Sequence, residues 1–240
     1  MPLPKINTPT YELELPSTGK KIKYRPFLVR EEKILIMALE SEDMKQITNA
    51  IVQILSDCIL TKTVKIQELS TFDIEYLFLN VRAKSVGETV EVNITCPDDG
   101  ETMVQVEIDI DSIKVQKNKD HKNTIKLDDN LSMKLKYPSL EQFVENNFET
   151  SEEVSDVNKS LSMITSCIDM IYDSEESWSA SDCTKKELEE FVEQLNTKQF
   201  KEIETFFSTM PKLSHTVKVK NPNTKKQSEV VLEGLASFFS

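Results

Sequence analysis

Apolar and polar residues alternate over Tyr11-Glu-Leu-Glu-Leu15 and again over Lys21-Ile-Lys-Tyr24, with Pro16-Ser-Thr-Gly19 between them. A period of two puts alternate side chains on one face of a strand, and Pro, Ser and Gly supply turn geometry. The pattern predicts a hairpin, ended by Pro26. The period then changes to three and four. A helix is expected from about Arg30 to Glu40, with Ile34, Leu35, Ala38 and Leu39 inward. Ser41 opens a second helix whose stripe is Met44, Ile47, Ile51, Ile54, Leu55, Cys58 and Ile59. Ser70 and Asp73 form a capping-box-like start for a third, carrying Phe72, Ile74, Leu77, Phe78 and Val81, and Gly87 stops it. Alternation returns in Thr89–Thr95 and Met103–Ile108 around Cys96-Pro-Asp-Asp-Gly100, a second hairpin.

A polar stretch follows to Asn123, and then the same order recurs. Thr124–Leu127 and Met133–Tyr137 form a hairpin around Asp128-Asp-Asn130. Pro138 ends it, and Ser139 with Gln142 opens a short helix. Thr150 and Glu153 cap a longer helix with Val157, Leu161, Ile164, Ile168 and Ile171 on one face. Thr184 and Glu187 cap another, with Leu188, Phe191, Val192 and Leu195. A last helix carries Phe200, Ile203, Phe206 and Phe207 and stops before Pro211. The final hairpin joins Thr216–Val219 to Glu229–Leu232 through Asn221-Pro-Asn-Thr224. Lys21-Ile-Lys-Tyr24 matches Lys134-Leu-Lys-Tyr137, Asp57-Cys-Ile59 matches Ser166-Cys-Ile168, and Thr89-Val-Glu-Val92 matches Thr216-Val-Lys-Val219. An insertion in the second copy, near Asp173–Asp182, holds the single Trp. The expectation is an α+β fold of two pseudo-repeats, each of antiparallel β-hairpins packed with a small group of helices. The repeats are 1–112 and 124–240, with 113–123 as a polar linker.

Composition narrows the function. The chain has 240 residues, 38% of them hydrophobic and 29% charged, a composition that folds and stays in solution. The formal net charge of −12 repels phosphate backbones and anionic lipid, so neither nucleic acid nor membrane is expected as a partner. No apolar run approaches the roughly 20 residues of a spanning helix. The first residues lack the basic and apolar regions of a signal peptide. The four cysteines show no short paired spacing, and reduced thiols in a cytosolic setting are expected.

Candidate chemistry is sparse. Gly19, Gly87, Gly100 and Gly234 each stand alone at a turn or helix end, which leaves no dinucleotide fingerprint and no phosphate loop. His121 falls in the linker and His215 at the start of a strand, neither beside a nucleophile. The carboxylate pairs Asp98-Asp99, Asp109/Asp111 and Asp128-Asp129 sit at turns, where Asp bonds nearby backbone N–H groups. Cys96-Pro-Asp-Asp-Gly100 has the shape of a zinc knuckle with Asp99 where the second thiolate belongs, and the matching turn at Asn221 has no Cys. An ordinary turn is the expectation, with no metal and no cofactor. A metal-assisted hydrolase using Cys96, His215 and carboxylates is the enzymatic alternative. The apolar end, Leu235, Phe238 and Phe239, is either a helical turn docked on its own core or an anchor for a partner protein, and it is the candidate binding site.

Three stretches carry a family resemblance: Tyr24-Arg-Pro-Phe-Leu-Val-Arg-Glu-Glu-Lys33 after the first hairpin, Phe72-Asp-Ile-Glu-Tyr-Leu-Phe-Leu-Asn-Val-Arg-Ala-Lys-Ser85 before the second, and the closing Leu232-Glu-Gly-Leu-Ala-Ser-Phe-Phe239. In this order, over nearly the whole chain, they resemble a baseplate hub subunit or hub assembly protein of T-even-type contractile-tailed bacteriophages. The resemblance implies a non-enzymatic structural or assembly role in the tail baseplate hub, exercised by protein–protein contact. Its partners would be other hub proteins or the tape-measure protein. Its location would be the host cytoplasm during assembly and the virion tail baseplate. A transient chaperone absent from the mature virion is the alternative within that family. Oligomeric state does not follow from the residues.

Overall fold

The computed structural model describes residues 6–41, 43–140, 142 and 156–238. It divides into two compact units, one of 1–116 with 212–240 and one of 117–211. In the first, strands β1 (Tyr11–Glu14) and β2 (Lys21–Tyr24) pair antiparallel, and helices α1 (Val29–Glu40), α2 (Met44–Cys58) and α3 (Thr71–Val86) follow. Strands β3 (Thr89–Thr95) and β4 (Met103–Asp109) form the second hairpin. A short strand, β5 (Lys114–Gln116), lies inside the stretch expected as linker. It pairs antiparallel with β10 (Lys212–Lys220), whose other neighbour is β11 (Gln227–Glu233). A 3₁₀ turn over Leu235–Phe238 ends the described chain.

The closing hairpin is therefore part of the first unit, although in sequence it follows the second set of helices. Leu213, Val217 and Val219 of β10 share one core with Val90, Val92 and Ile94 of β3 and with Leu79 and Ala83 of α3. Lys212 is the register partner of Gln116, so the chain leaves this unit and re-enters it at paired residues. The order of elements suggested the repeats, and the packing groups them differently.

The second unit begins with β6 (Thr124–Lys126) and β7 (Ser132–Leu135). Helix α4 (Asp156–Ser166) leads into β8 (Ile168–Tyr172) and β9 (Ser177–Ser179), which extend the sheet in the order β6-β7-β8-β9. Helices α5 (Lys185–Glu193) and α6 (Thr197–Thr209) complete it. Two expectations change here. Ile168 and Ile171 lie in a strand and not in the helix, because β8 pairs with β7 and directs both side chains into the core with Met133 and Leu135. The second strand of the β6–β7 hairpin is Ser132–Leu135, so Tyr137 falls beyond it. The reciprocal bonds of Ser139 and Gln142 are present at 2.9 and 3.2 Å. The caps expected at Thr150 and Glu153 lie outside the described residues.

One local arrangement recurs in both units. Arg25 N–H, just after β2, donates to the carbonyl of Cys58 at the end of α2 (2.9 Å). Lys136 N–H, just after β7, donates to the carbonyl of Cys167 at the end of α4 (2.8 Å). Both cysteines are buried and free, and burial pushes each thiol up to about 11. The proline turns repeat as well. The carbonyls of Leu15, Cys96 and Asn221 each accept the N–H four residues on, at 2.8, 2.9 and 3.0 Å. That fifth residue is left-handed each time: Gly19 at φ 69°, Gly100 at φ 70° and Lys225 at φ 64°. Glycine adopts this conformation without steric cost, and at the third turn Lys225 accepts the strain.

Buried polar groups tie segments together. Asp73 is buried at the start of α3, and its carboxylate accepts the backbone N–H of Ser17 (3.0 Å) and the hydroxyls of Ser17 and Ser70. Glu31 is 0% exposed. Its oxygens take Leu28 N–H at 2.7 Å, Arg25 Nη2 at 2.9 Å and Arg30 Nε at 2.6 Å. In the second unit His121, expected in a linker, packs its ring 5.1 Å from Phe206 and 5.6 Å from Tyr137. Thr209 Oγ1 donates to Thr205 O, so the His121 Nδ1–H donates to Thr209 Oγ1 at 3.0 Å.

Burial acts to raise the Glu31 carboxyl, but the bonds from Arg25, Arg30 and Leu28 outweigh it and hold it at about 2 instead of 4.5. A depressed carboxylate stabilises the fold above its unfolded value and loses that contribution as pH falls toward the folded one. Glu31→Gln should cost about 2 kcal/mol near neutral pH, where charged hydrogen bonds are lost. It should also flatten the fall in stability between pH 4.5 and 2. Urea unfolding followed across that range reads both.

Candidate interaction surfaces

The C-terminal candidate resolves into a core contact. Phe238 is 0% exposed and belongs to the same core as β3 and β10, and Leu235 packs against that core half-buried. The segment reaches this position because Gly234 turns at φ 71° and lies so close to α3 that an added Cβ would stand 3.2 Å from Glu75 Oε1. Glu75 Oε1 accepts the N–H of Leu235 at 3.0 Å. Burial pushes the Glu75 carboxyl up to about 6, against the opposing pull of that N–H. Phe238 therefore presents no ring to a partner, and Phe239 lies outside the described residues.

The knuckle-like turn is a hydrogen-bonded junction of two hairpins. Asn221, 1% exposed, donates from Nδ2 to Asp98 Oδ1 (3.0 Å) and Asp99 Oδ2 (2.7 Å). Its Oδ1 accepts the N–H groups of Asn223 and Thr224 at 2.8 and 3.1 Å. Asp99 also takes Thr102 and Glu101, and these bonds hold its carboxyl well below the usual range. Cys96 is buried, and burial together with the neighbouring Asp98 and Asp99 charges raises its thiol. His215 lies on β10, opposite Leu232 of β11. Among the described residues no three His, Cys, Asp or Glu side chains group closely enough to hold a metal ion. The pairs Asp109/Asp111 and Asp128-Asp129 are turn residues: Asp109 caps Asp111 N–H at 2.9 Å, and Asp128 caps Asn130 and Leu131 at 2.7 and 2.8 Å.

Among the described residues two apolar surfaces reach solvent that periodicity and composition did not place. In the second unit a groove of about 310 Å³ is lined by Leu131, Ile171, Trp178, Cys183, Leu188 and Phe191, with Glu187 as the charged residue. Trp178 is 41% exposed. It sits on β9, which pairs with β8 on one side and ends the sheet on the other. The turn before it holds Asp173, Glu175 and Glu176, and α5 carries Glu187 with Glu189 and Glu190, the last two paired with Lys185 and Lys186 at 3.7 and 3.5 Å, so carboxylates remain in excess. In the first unit α1 directs Val29, Ile36, Met37 and Leu39 outward, so Leu39 is not the inward residue its spacing suggested. Ala38 and Glu31 form the buried side.

The family model described as T4 bacteriophage base plate protein matches residues 8–240. The chain belongs to that family. It is thus a bacteriophage baseplate protein, and the match spans both compact units. Comparison with curated proteins and with solved structures returned no match. Among the described residues of this baseplate protein, no helix is long and apolar enough to cross a membrane.

The C-terminal contact makes two opposite expectations. Phe238→Ala should destabilise by about 3–5 kcal/mol, the cost of emptying a core site of this size. The raised Glu75 carboxyl binds its proton more tightly when folded, so its contribution is present below about 4.5 and is lost as pH rises through about 6. Glu75→Gln keeps an acceptor for Leu235 and removes the buried charge. It should raise stability by about 2 kcal/mol at pH 8 and leave pH 4 nearly unchanged. Denaturant melts at the two pH values check both variants.

Proposed function

We propose that this baseplate protein is a component of the central hub, structural or assembly-directing, and that it works by protein–protein contact and not by catalysis. The observation that carries this reading is the Trp178 groove beside the β9 edge. An edge strand offers unpaired backbone groups to an extended segment, and an adjoining apolar groove fixes one of its side chains. The surrounding carboxylates favour a segment with Lys or Arg flanking an apolar or aromatic anchor. The occupant is such a segment of another hub protein or of the tape-measure protein. The paired arrangements at Cys58 and Cys167, and the shared geometry of the proline turns, support the accompanying reading of a duplicated chain. Retention in the virion and departure as a chaperone share this binding chemistry.

The test is capture of tagged protein from infected cells, wild type beside Trp178→Glu, together with mass spectrometry of purified virions. Hub or tape-measure proteins should be captured by the wild type and reduced at least tenfold with the variant. Abundance in virions then marks a structural component, and absence marks a chaperone. Capture of no tail protein by the wild type overturns the reading. Equal capture by the variant removes the groove from it.

A further inference from the structure

Helix α1 leaves one face uncovered. Val29, Lys33, Ile36, Met37 and Glu40 fall at i, i+4, i+7, i+8 and i+11, which places them on a single arc of about 100°. Val29 is 81% exposed, Met37 60% and Ile36 49%. Lys33 and Glu40 are exposed too, and neither has an ion-pair partner among the described residues. A soluble helix ordinarily carries its charges on the outward face, so three large apolar side chains there mark a contact surface. Arg30 and Glu32, its flanking charges, lie to either side of this arc.

The order of residues along the face identifies what covers it. The apolar centre is the Ile36–Met37 pair. Lys33 and Glu40 stand equally far on either side of its midpoint, one positive and one negative. If two such helices meet antiparallel about a two-fold axis at that midpoint, Lys33 of each copy faces Glu40 of the other, and the apolar pairs meet on the axis. A two-fold contact must be self-complementary in this way, since the same patch serves both partners. A different protein would need no such symmetry. The face also carries one charge of each sign in a chain of net charge −12, so the repulsion between copies is not concentrated there.

We propose that the α1 face is the contact of a two-fold dimer of this protein, with two α1 helices antiparallel about the midpoint of Ile36 and Met37. One pair of 12-residue helices covers less than the roughly 1,600 Å² of a standard interface, so the dimer is concentration-dependent. It is independent of the Trp178 groove, which lies in the other unit.

Sedimentation velocity of the full chain, from micromolar to near-millimolar concentration, tests this. The wild type should pass from monomer to dimer. Lys33→Glu and Glu40→Lys each create two like-charge contacts and should each weaken the dimer roughly tenfold. An equimolar mixture of the two variants should recover wild-type association, because each opposite pair is then restored across the axis. Ile36→Glu should abolish it, and circular dichroism confirms that this surface variant is folded. A wild type that stays monomeric throughout overturns the dimer. So does a mixture that associates no better than either variant alone, the result expected if the face serves some other protein.

Discussion

The pairing of β5 with β10 is the constraint on which the first unit depends. Strand β5 has three residues and cannot persist alone, and the β3–β4 hairpin leaves Val90, Val92 and Ile94 needing cover. Both needs are met by residues from the far end of the chain, Leu213, Val217, Val219 and finally Phe238. The core of 1–116 is thus completed only when 212–238 arrives, and everything between is an insertion whose ends are held by the Gln116–Lys212 register. Insertions succeed where their ends lie close together, and an antiparallel strand pair provides that closeness. The cost is in sequence separation, because the contacts that finish this core close the longest loop in the molecule.

Long closures of this kind need more than apolar burial to select one register. Hydrophobic contact is non-directional, whereas a buried hydrogen bond is satisfied in one geometry only. The polar ties fall where distant segments meet. Asp73 links α3 to the first turn, Asn221 links the last hairpin to the Asp98-Asp99 turn, and Glu75 links α3 to the Leu235 N–H. Each presents acceptors or donors that would be left unpaired if its partner segment slipped by one residue. Glu75 is the least comfortable of them, since its single backbone donor does not offset its burial.

Much of this was legible in the residues. The β1–β2, β3–β4 and β10–β11 hairpins and α1, α2, α3, α5 and α6 follow from periodicity, caps and proline turns, and the family resemblance is met by the family match. The remainder was hidden for physical reasons. Ile164, Ile168 and Ile171 fit a helical stripe by spacing, and only the presence of β7 alongside decides that the chain turns to strand after Ser166. Lys114–Gln116 is too short and too polar to announce a strand whose partner lies at Lys212–Ser214. In Lys33-Ile-Leu-Ile-Met-Ala-Leu39 apolar residues surround the helix, so periodicity alone cannot choose the inward face. For the apolar end both a core contact and a partner anchor were legible, and only the packing against β3 and β10 decides that the Phe238 ring belongs to the protein's own core.

The two exposed apolar surfaces use different recognition chemistry, and this bears on how a baseplate protein can act. A helix face such as that of α1 reads shape and charge order along a rod, whereas an edge strand such as β9 reads any extended segment and leaves selectivity to the side-chain groove beside it. The first suits a partner of fixed structure, including a second copy. The second suits a segment that is ordered only on binding. A dimer formed through α1 would carry two Trp178 grooves, one in each chain, and each kind of contact is small in area by itself. Weak contacts of both kinds then combine into a selective one. That is a useful property in an assembly component, which must meet its partners reversibly before the surrounding structure fixes it in place.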